Sequence, residues 1–376
     1  MESLTNIKVF KIFLIALLTI FSTFCANANE RSKLPPVPAG IYSVGPGGTY
    51  TSTISAAITS INAAGGISGP IVLELNAAYN ASSEILNPIT GASTTNTITI
   101  RPAAGVTKII SSSALNGPTI SILGGKFYII DGQSGGTGGA KNLTITNTNA
   151  GGSACVIRFQ NDGSNNVVKF CAFRGQNTTS TNGVVLFGTT TGSTGNDNNL
   201  ITDCDITSVS NIALSSNGVY SAGTVSKSND LNTISNCNIY DVFNSTAKSV
   251  GILMGANTSS WTITGNSFYQ TTSRSSANTW SAIELNNTAT GGNGFNIANN
   301  FIGGTAPLAA SGVMTFTYTG SGYFSGINIY GFSGAANVVS GNTIKNLSIT
   351  CNQLVTNYCI SNLMVLQTFL TIQLAI

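Results

Sequence analysis

The chain has 376 residues, which is enough for one long domain or two ordinary ones, and only 7% of the residues are charged. The formal net charge is +3 and no stretch is strongly basic, so neither nucleic acid nor an anionic membrane is expected as a partner. The sequence contains no histidine. This excludes histidine-based acid–base catalysis, Ser-His-Asp triads and histidine-ligated metal sites.

Residues 1–28 have the pattern of a signal peptide. Two lysines precede an apolar run at 12–24, and Ala26-Asn27-Ala28 supplies small residues where a signal peptidase would cut. The run is short for a membrane span, so we expect no span in the mature chain. We therefore predict a secreted, extracellular or outer cell-surface protein, with lipid attachment at Cys25 as the weaker alternative.

An extended leader and a short helix follow. Residues 29–48 are rich in proline and are predicted to be extended. Residues 51–61 place apolar side chains at positions i, i+3, i+4 and i+7, beginning at Ile54, which predicts an amphipathic α-helix. Apolar strands are predicted after it, at 71–75 and 97–100.

Six related hexapeptides then occupy the middle of the chain. Each has an apolar residue, two variable residues, Cys or Asn, one variable residue and an apolar residue. They are VKFCAF (168–173), ITDCDI (201–206), ISNCNI (234–239), ITGNSF (263–268), IANNFI (297–302) and VSGNTI (339–344). Their starts lie 33, 33, 29, 34 and 42 residues apart. Helical repeats have similar periods, but these units consist of strand and turn residues such as Ile, Val, Thr, Asn and Gly.

A second short strand, often bracketed by glycine, precedes the next hexapeptide in most units. These strands are predicted at 183–188, 218–223, 251–255, 282–286 and 326–331. Each coil is thus expected to hold two or three strands, with successive coils about 4.8 Å apart. The pattern predicts an all-β fold over residues 49–350: a single-stranded right-handed parallel β-helix (solenoid) with a short N-terminal capping α-helix.

The fourth position of the hexapeptide changes from Cys to Asn along the chain. It holds Cys171, Cys204, Cys237, Asn266, Asn300 and Asn342. Such a column predicts side chains that point into the solenoid, where each Asn amide donates to the next and satisfies buried polar groups. Cys fills the same position as a small, weakly polar side chain. We predict a structural ladder with free thiols, and disulfides along the column are the alternative.

Four segments resemble a known superfamily. They are GTYTSTISAAITSINAAGG (48–66), GPIVLELNAAYN (69–80), TNTITIRPAAG (95–105) and FYIIDG (127–132). They resemble the opening of secreted pectate-lyase-like and pectin-esterase-like β-helix proteins, particularly exported proteins of Bacteroidetes-type bacteria, and the likeness covers residues 45–350. The superfamily includes lyases, hydrolases, esterases, adhesins and structural proteins, so the resemblance implies a fold and no single activity.

The resemblance also suggests where catalysis would occur, because lyases of this kind hold calcium with clustered acidic residues beside an Arg or Lys base. The candidates are Asp203, Asp205, Lys169 and Arg174, which occupy neighbouring positions of the hexapeptide frame. The next coil has Asn in place of both Asp, which leaves too few carboxylates for a calcium cage. We predict no metal and no cofactor, with Ca²⁺ only under the lyase hypothesis; a solvated charge cluster is the simpler interpretation.

Exposed tyrosines are the candidates for ligand binding, because aromatic rings stack on sugar faces. Tyr240 and Tyr269 are the candidate substrate-binding residues, and Tyr323 and Tyr330 belong to the same group. Stacking of these rings on one another between coils is the alternative.

Residues 351–376 lack the repeat and are apolar, which predicts an irregular tail and favours a reading frame truncated relative to longer relatives. Together these features predict a monomeric, secreted or cell-surface β-helix protein that binds polysaccharide or another surface ligand in an adhesive or structural role. The alternative is a lyase or glycoside hydrolase acting on acidic, pectin-like polysaccharide.

Overall fold

The computed structural model describes residues 34–113, 115–287, 293–330 and 334–351, and the strand at 372–375. The predicted signal peptide, residues 1–28, and most of the predicted C-terminal tail lie outside the described residues. Within the described part of the chain, no helix combines the length and the apolar character that a membrane crossing requires.

Short strands make up most of the described chain. The first sixteen are β1 (Gly40–Val44), β2 (Ile71–Leu75), β3 (Glu84–Leu86), β4 (Ile98–Pro102), β5 (Lys108–Ser112), β6 (Pro118–Leu123), β7 (Tyr128–Asp131), β8 (Leu143–Asn147), β9 (Cys155–Gln160), β10 (Val167–Lys169), β11 (Cys171–Gly175), β12 (Val185–Phe187), β13 (Leu200–Thr202), β14 (Asp205–Ser208), β15 (Asn217–Ser221) and β16 (Asn229–Asp230). The others are β17 (Thr233–Ser235), β18 (Asn238–Tyr240), β19 (Ser249–Met254), β20 (Thr258–Ser259), β21 (Thr262–Thr264), β22 (Ser267–Tyr269), β23 (Arg274–Ser276), β24 (Trp280–Asn286), β25 (Asn296–Ala298), β26 (Phe301–Ile302), β27 (Met314–Tyr318), β28 (Phe324–Tyr330), β29 (Val338–Ser340), β30 (Thr343–Ile344), β31 (Leu347–Cys351) and β32 (Ile372–Ala375). The described helices are α1 (Ile54–Ala63) and the 3-10 turns Ser134–Gly136 and Pro307–Ala309.

Successive coils contribute one strand each to three long sheets. Sheet 1 has the order β1-β2-β4-β7-β10-β13-β17-β21-β25-β29, sheet 2 runs from β5 through β8, β11, β14, β18, β22 and β26 to β30, and sheet 3 from β3 through β6, β9, β12, β15, β19 and β24 to β28. All neighbouring strands in them are parallel. The chain therefore winds through sheets 1, 2 and 3 in turn. This confirms the predicted all-β parallel solenoid; β1, inside the predicted leader, already belongs to sheet 1.

The first and last residues of the hexapeptide form two columns of the core. In sheet 1 the column starts at Val168 and continues through Ile201 to Ile297 in register. In sheet 2 it runs from Phe173 to Ile302 in the same way. These side chains are buried. Because burial of one such side chain contributes roughly 1.5–3 kcal/mol, the two columns supply much of the free energy that stacks the coils.

A single residue turns the chain from sheet 1 into sheet 2, and it is the third residue of the hexapeptide. It has a positive φ, from 52° to 68°, in all six units: Phe170, Asp203, Asn236, Gly265, Asn299 and Gly341. Gly, Asn and Asp adopt this left-handed conformation more readily than other residues. The preference for these residues at the third position is therefore a requirement of the backbone.

The fourth residue follows the corner and points into the coil. Asn300 is fully buried and makes four hydrogen bonds through its amide. It donates to the carbonyl of Ile263 and to Oδ1 of Asn342, both at 2.9 Å, and accepts from the backbone N and the Nδ2 of Asn266, both at 3.0 Å. All the donors and acceptors of this amide are thus satisfied.

Cysteine occupies the same column in three earlier coils. The backbone N of Cys171 donates to Sγ of Cys204 at 3.4 Å, and each thiol lies 3.2–3.3 Å from the carbonyl two residues before it. The three thiols are free and fully buried. Burial raises the pKa of Cys204 and of Cys237 well above the ordinary thiol value. They therefore remain protonated and unreactive at neutral pH.

A second asparagine ladder stands two residues before the hexapeptide. Asn199 donates to Oδ1 of Asn232 at 3.0 Å and to the carbonyl of Gly163 at 2.9 Å, and accepts from Nδ2 of Asn166 at 2.9 Å. The hexapeptide alone did not predict this ladder. The sequence carries its signal, because Asn166, Asn199 and Asn232 share one offset from the repeat.

Helix α1 packs its apolar face at the start of the solenoid. Ile54 lines an apolar cavity together with Leu86 and Ile100 of the first coils. The carboxylate of Glu84 on β3 accepts hydrogen bonds from the backbone N of Ile54 at 3.0 Å and of Ser55 at 2.7 Å. Backbone N–H groups at a helix N-terminus lack partners within the helix and favour a negative charge, so Glu84 fixes the helix to the coil.

Candidate functional site

Lys169 and Asp203, two of the predicted catalytic residues, have partners that the coil geometry explains. Lys169 ends β10 and pairs with Asp131, its register partner on the preceding coil, with 3.1 Å between Nζ and Oδ2. Asp203 is the left-handed corner residue of its coil, and its carboxylate accepts from the hydroxyl of Thr202 at 2.8 Å. The ion pair explains the position of Lys169 and the corner explains that of Asp203, so neither residue requires a ligand.

Asp205, by contrast, lies on the outer surface of sheet 2. It forms an ion pair with Lys141 and accepts a hydrogen bond from Nδ2 of Asn238 at 2.8 Å. Ala172 is the register partner of Asp205 on the preceding coil. Its single methyl group leaves room for the long lysine side chain to reach across. Sequence reasoning missed Lys141, because 64 residues separate it from Asp205.

Arg174 is on the same surface and is exposed. Thr207, Tyr240 and Tyr269 follow it in register on the next three coils. Among the described residues, its guanidinium has no acidic partner within salt-bridge distance. We call the surface that consists of Lys141, Arg174, Asp205, Asn238 and Tyr240 the Arg174 face.

The four predicted catalytic residues do not converge on one another. Lys169 belongs to sheet 1, Asp203 to the corner, and Asp205 and Arg174 to sheet 2. None of them forms an ion pair with another of the four. The fold instead brings together the residues of the Arg174 face. This surface combines the guanidinium of Arg174, the Lys141–Asp205 ion pair, and the amide and hydroxyl groups of Asn238 and Tyr240.

Tyr240 and Tyr269 stack on each other with ring centroids 4.9 Å apart and planes 2° from parallel. Tyr240 is half-buried, whereas Tyr269 is buried, which differs from the exposure expected from the sequence. Each ring covers one face of the other, and the Pro307–Ala309 turn packs on β22, with the N of Leu308 donating to Oγ of Ser267 at 2.9 Å. Burial raises the pKa of Tyr240, and the Asp205 charge adds to the shift. The hydroxyl therefore remains a donor at neutral pH.

The charge of Asp241 is neutralised beside this stack. Its carboxylate pairs with Arg274 at 2.9 Å and accepts from the backbone N of Thr271 at 2.9 Å and from the Thr271 hydroxyl at 2.6 Å. Asp241 and Arg274 are both buried. Within the described ranges, no group of three or more Cys, Asp or Glu side chains is arranged to hold a metal ion.

No protein-family model and no curated protein matches the sequence. Among solved structures, the chain is similar to the crystal structure of an alginate lyase from Paenibacillus sp. str. FPU-7, with 14% identity, a TM-score of 0.39, and coverage of 82% of this chain and 98% of that one. It is also similar to a pectin methylesterase from carrot, with 12% identity, a TM-score of 0.36, and coverage of 82% and 88%. The chain's own parallel sheets make it a parallel β-helix protein.

Proposed function

We propose that this protein is an exported, monomeric polysaccharide-binding protein with an adhesive or structural role, and that its Arg174 face holds acidic polysaccharide. The observation that carries the proposal is the exposed Arg174 guanidinium, which has no acidic partner among the described residues. Arg binds carboxylates through two parallel hydrogen bonds, which suits the uronate groups of acidic polysaccharides.

Neighbouring groups supply contacts for sugar hydroxyls. The amide of Asn238 and the carboxylate of Asp205 offer donors and acceptors on the next two coils, and the Tyr240 hydroxyl offers a further donor. The Lys141–Asp205 ion pair adds no net charge. Specificity for an anionic ligand therefore depends mainly on Arg174.

Catalysis ranks below binding. Lys169 already pairs with Asp131 and Asp205 with Lys141, so neither is poised as a base or an acid. The lyase hypothesis can be tested directly by an activity assay. Purified protein is incubated with pectin, alginate and glycosaminoglycans with and without calcium, and unsaturated uronide absorbance that disappears in Asp203→Ala would establish it.

The binding proposal is tested by electrophoresis through gels that contain polygalacturonate or alginate, with polysaccharide-free gels as the reference. Arg174→Ala is compared with Lys126→Ala, which removes one exposed positive charge elsewhere. A surface charge contact contributes about 1 kcal/mol, which corresponds to a roughly five-fold weaker Kd for Arg174→Ala. Equal retardation of the two variants in the acidic gels contradicts the proposal.

Two structural expectations accompany this proposal. The coils are expected to be right-handed, as crossovers between parallel strands almost always are. Helix α1 is expected to cap the first coil, which is supported by its apolar contacts through Ile54 and by its anchor at Glu84. Export rests on residues 1–28, outside the described part.

A further inference from the structure

A second polar site stands on sheet 3, near the C-terminal coils, and is separate from the Arg174 face. It consists of Lys248, Glu284, Tyr323, Asn328 and Tyr330, which we call the Glu284 cluster. Glu284 and Asn328 are register partners on β24 and β28. Lys248 immediately precedes β19, Tyr323 immediately precedes β28, and Tyr330 ends β28.

The floor of the Glu284 cluster is polar and fully shielded from solvent. Ile283 and Leu285 on either side of Glu284 belong to the core, so Glu284 points outward, yet its exposed fraction is 0%. Ser281 and its register partner Ser325 are equally buried. Oγ of Ser325 has no hydrogen-bond partner. Burying polar groups on the outside of a sheet costs free energy, and such violations of packing rules are expected at functional sites.

The polar groups are connected in two short chains. Lys248, with 40% of its side chain exposed, forms an ion pair with Glu284, whose Oε2 lies 3.4 Å from Oγ of Ser281. Nδ2 of Asn328 donates to the hydroxyl of Tyr330 at 2.6 Å, and the hydroxyls of Tyr330 and Tyr323 lie 3.2 Å apart. These contacts fix the rims of the site on a rigid strand pair.

The Glu284 cluster has more hydroxyl and ammonium protons than its own hydrogen bonds use. The two tyrosine hydroxyls carry two protons, and their mutual hydrogen bond uses only one. Within the described ranges, neither hydroxyl makes a hydrogen bond to a further acceptor. The ammonium of Lys248 has three donors, and Glu284 occupies one of them. Donors are therefore available where Tyr330, 38% exposed, also presents part of its ring.

We propose that the Glu284 cluster is a second carbohydrate site, and that it takes a neutral glycan. Lys248 and Glu284 cancel each other's charge, so the site has no excess charge to attract a uronate, unlike Arg174. Sugar hydroxyls accept from the tyrosine and lysine donors, and the ring of Tyr330 packs on the apolar face of a sugar. This site is on sheet 3 and is therefore separate from the Arg174 face on sheet 2. The inference does not depend on the binding proposed for sheet 2.

The test uses the full chain in electrophoresis gels that contain, one at a time, xyloglucan, galactomannan, laminarin or dextran. Tyr330→Ala removes the ring and Tyr323→Phe removes only a hydroxyl. Tyr220→Ala is the matched control, because Tyr220 is a partly exposed tyrosine on the same sheet. Circular dichroism of each variant establishes that it is folded.

We expect at least one neutral polysaccharide to retard the wild type. Tyr330→Ala should weaken the Kd five-fold or more and Tyr323→Phe should weaken it to a smaller degree, whereas Tyr220→Ala and Arg174→Ala should bind as the wild type does. The proposal is overturned if none of the four polysaccharides retards the wild type, or if the folded Tyr323→Phe and Tyr330→Ala variants both bind like Tyr220→Ala. Either result leaves the acidic-gel test of Arg174 unaffected.

Discussion

The asparagine ladder predicts a specific order of stability among substitutions of Asn300. Asn300→Ala removes four hydrogen bonds inside the coil, those to Ile263 and Asn342 and two from Asn266. At about 1 kcal/mol for each hydrogen bond, the free energy of unfolding falls by about 4 kcal/mol. In this variant the backbone N of Asn266 and the carbonyl of Ile263 stay buried without the hydrogen bonds that Asn300 provides. Unsatisfied buried polar groups are themselves unfavourable, so the loss of stability is not offset by solvation of these groups.

Cysteine at the same position should be tolerated better. In the earlier coils, Cys204 accepts from a backbone N and its thiol lies 3.2 Å from a carbonyl oxygen, so a thiol replaces part of the amide's hydrogen bonding. We expect Asn300→Cys to lower the free energy of unfolding by about 2 kcal/mol, half the effect of alanine. Asn296→Ala is the control, because Asn296 is exposed on the same coil. A surface substitution of this kind changes stability by less than about 0.5 kcal/mol.

Urea unfolding followed by tryptophan fluorescence measures all three variants. Trp261 and Trp280 are buried in the core and report its opening. With an m-value of about 3 kcal/mol/M or more for a chain of this size, Asn300→Ala should move the midpoint by about 1 M. The ladder argument is refuted if Asn300→Cys is as destabilising as Asn300→Ala, or if Asn300→Ala costs no more than Asn296→Ala.

Three further predictions concern the corner residue Asp203, the contact of Glu84 with helix α1, and the hydrogen-bonded carboxylate of Asp162. Asp203→Gly should leave stability unchanged, whereas Asp203→Val should cost about 1–2 kcal/mol in urea unfolding, because valine resists a φ of 54°; equal effects would contradict the corner assignment. Glu84→Ala leaves two helix N–H groups without these partners, one buried and one partly buried, so hydrogen exchange in Ile54–Ala63 should accelerate, and unchanged exchange would refute the anchor. Burial alone would raise the pKa of Asp162, but hydrogen bonds from Thr190, Ser193 and Thr194 lower it on balance. The stability that this carboxylate adds is therefore complete above about pH 4 and is lost as the pH falls further, so the difference between wild type and Asp162→Asn should shrink from pH 5 to pH 2; a constant difference would contradict it.

The sequence predicted the fold because the first, third, fourth and sixth hexapeptide positions each have one backbone or packing requirement. The apolar first and sixth residues and the Cys or Asn at the fourth keep fixed offsets within every hexapeptide. Such offsets specify which residues share a column, as Ile201 and Ile234 do. The second ladder has the same kind of signal, because Asn166, Asn199 and Asn232 each stand two residues before a hexapeptide.

The candidate sites could be predicted only in part, for a physical reason. Column membership does not specify how far a side chain reaches, so Lys141 was not associated with Asp205 two coils away. Column membership also does not show whether an outward-pointing side chain is covered by other parts of the chain. Glu284 resembles an ordinary outward residue in its strand and is shielded only by its three-dimensional surroundings. Asp203 is explained as a corner residue by its positive φ, which it shares with the third residue of every hexapeptide. Residue composition alone does not reveal a backbone angle.

Carbene footprinting with and without an oligogalacturonate tests the central claim, binding at the Arg174 face, most directly. The account predicts that labelling falls at Arg174, Asn238 and Tyr240 as the oligosaccharide saturates, and stays constant at Tyr220 on sheet 3. Saturable binding with unchanged labelling at those three residues, or protection confined to another sheet, would contradict it.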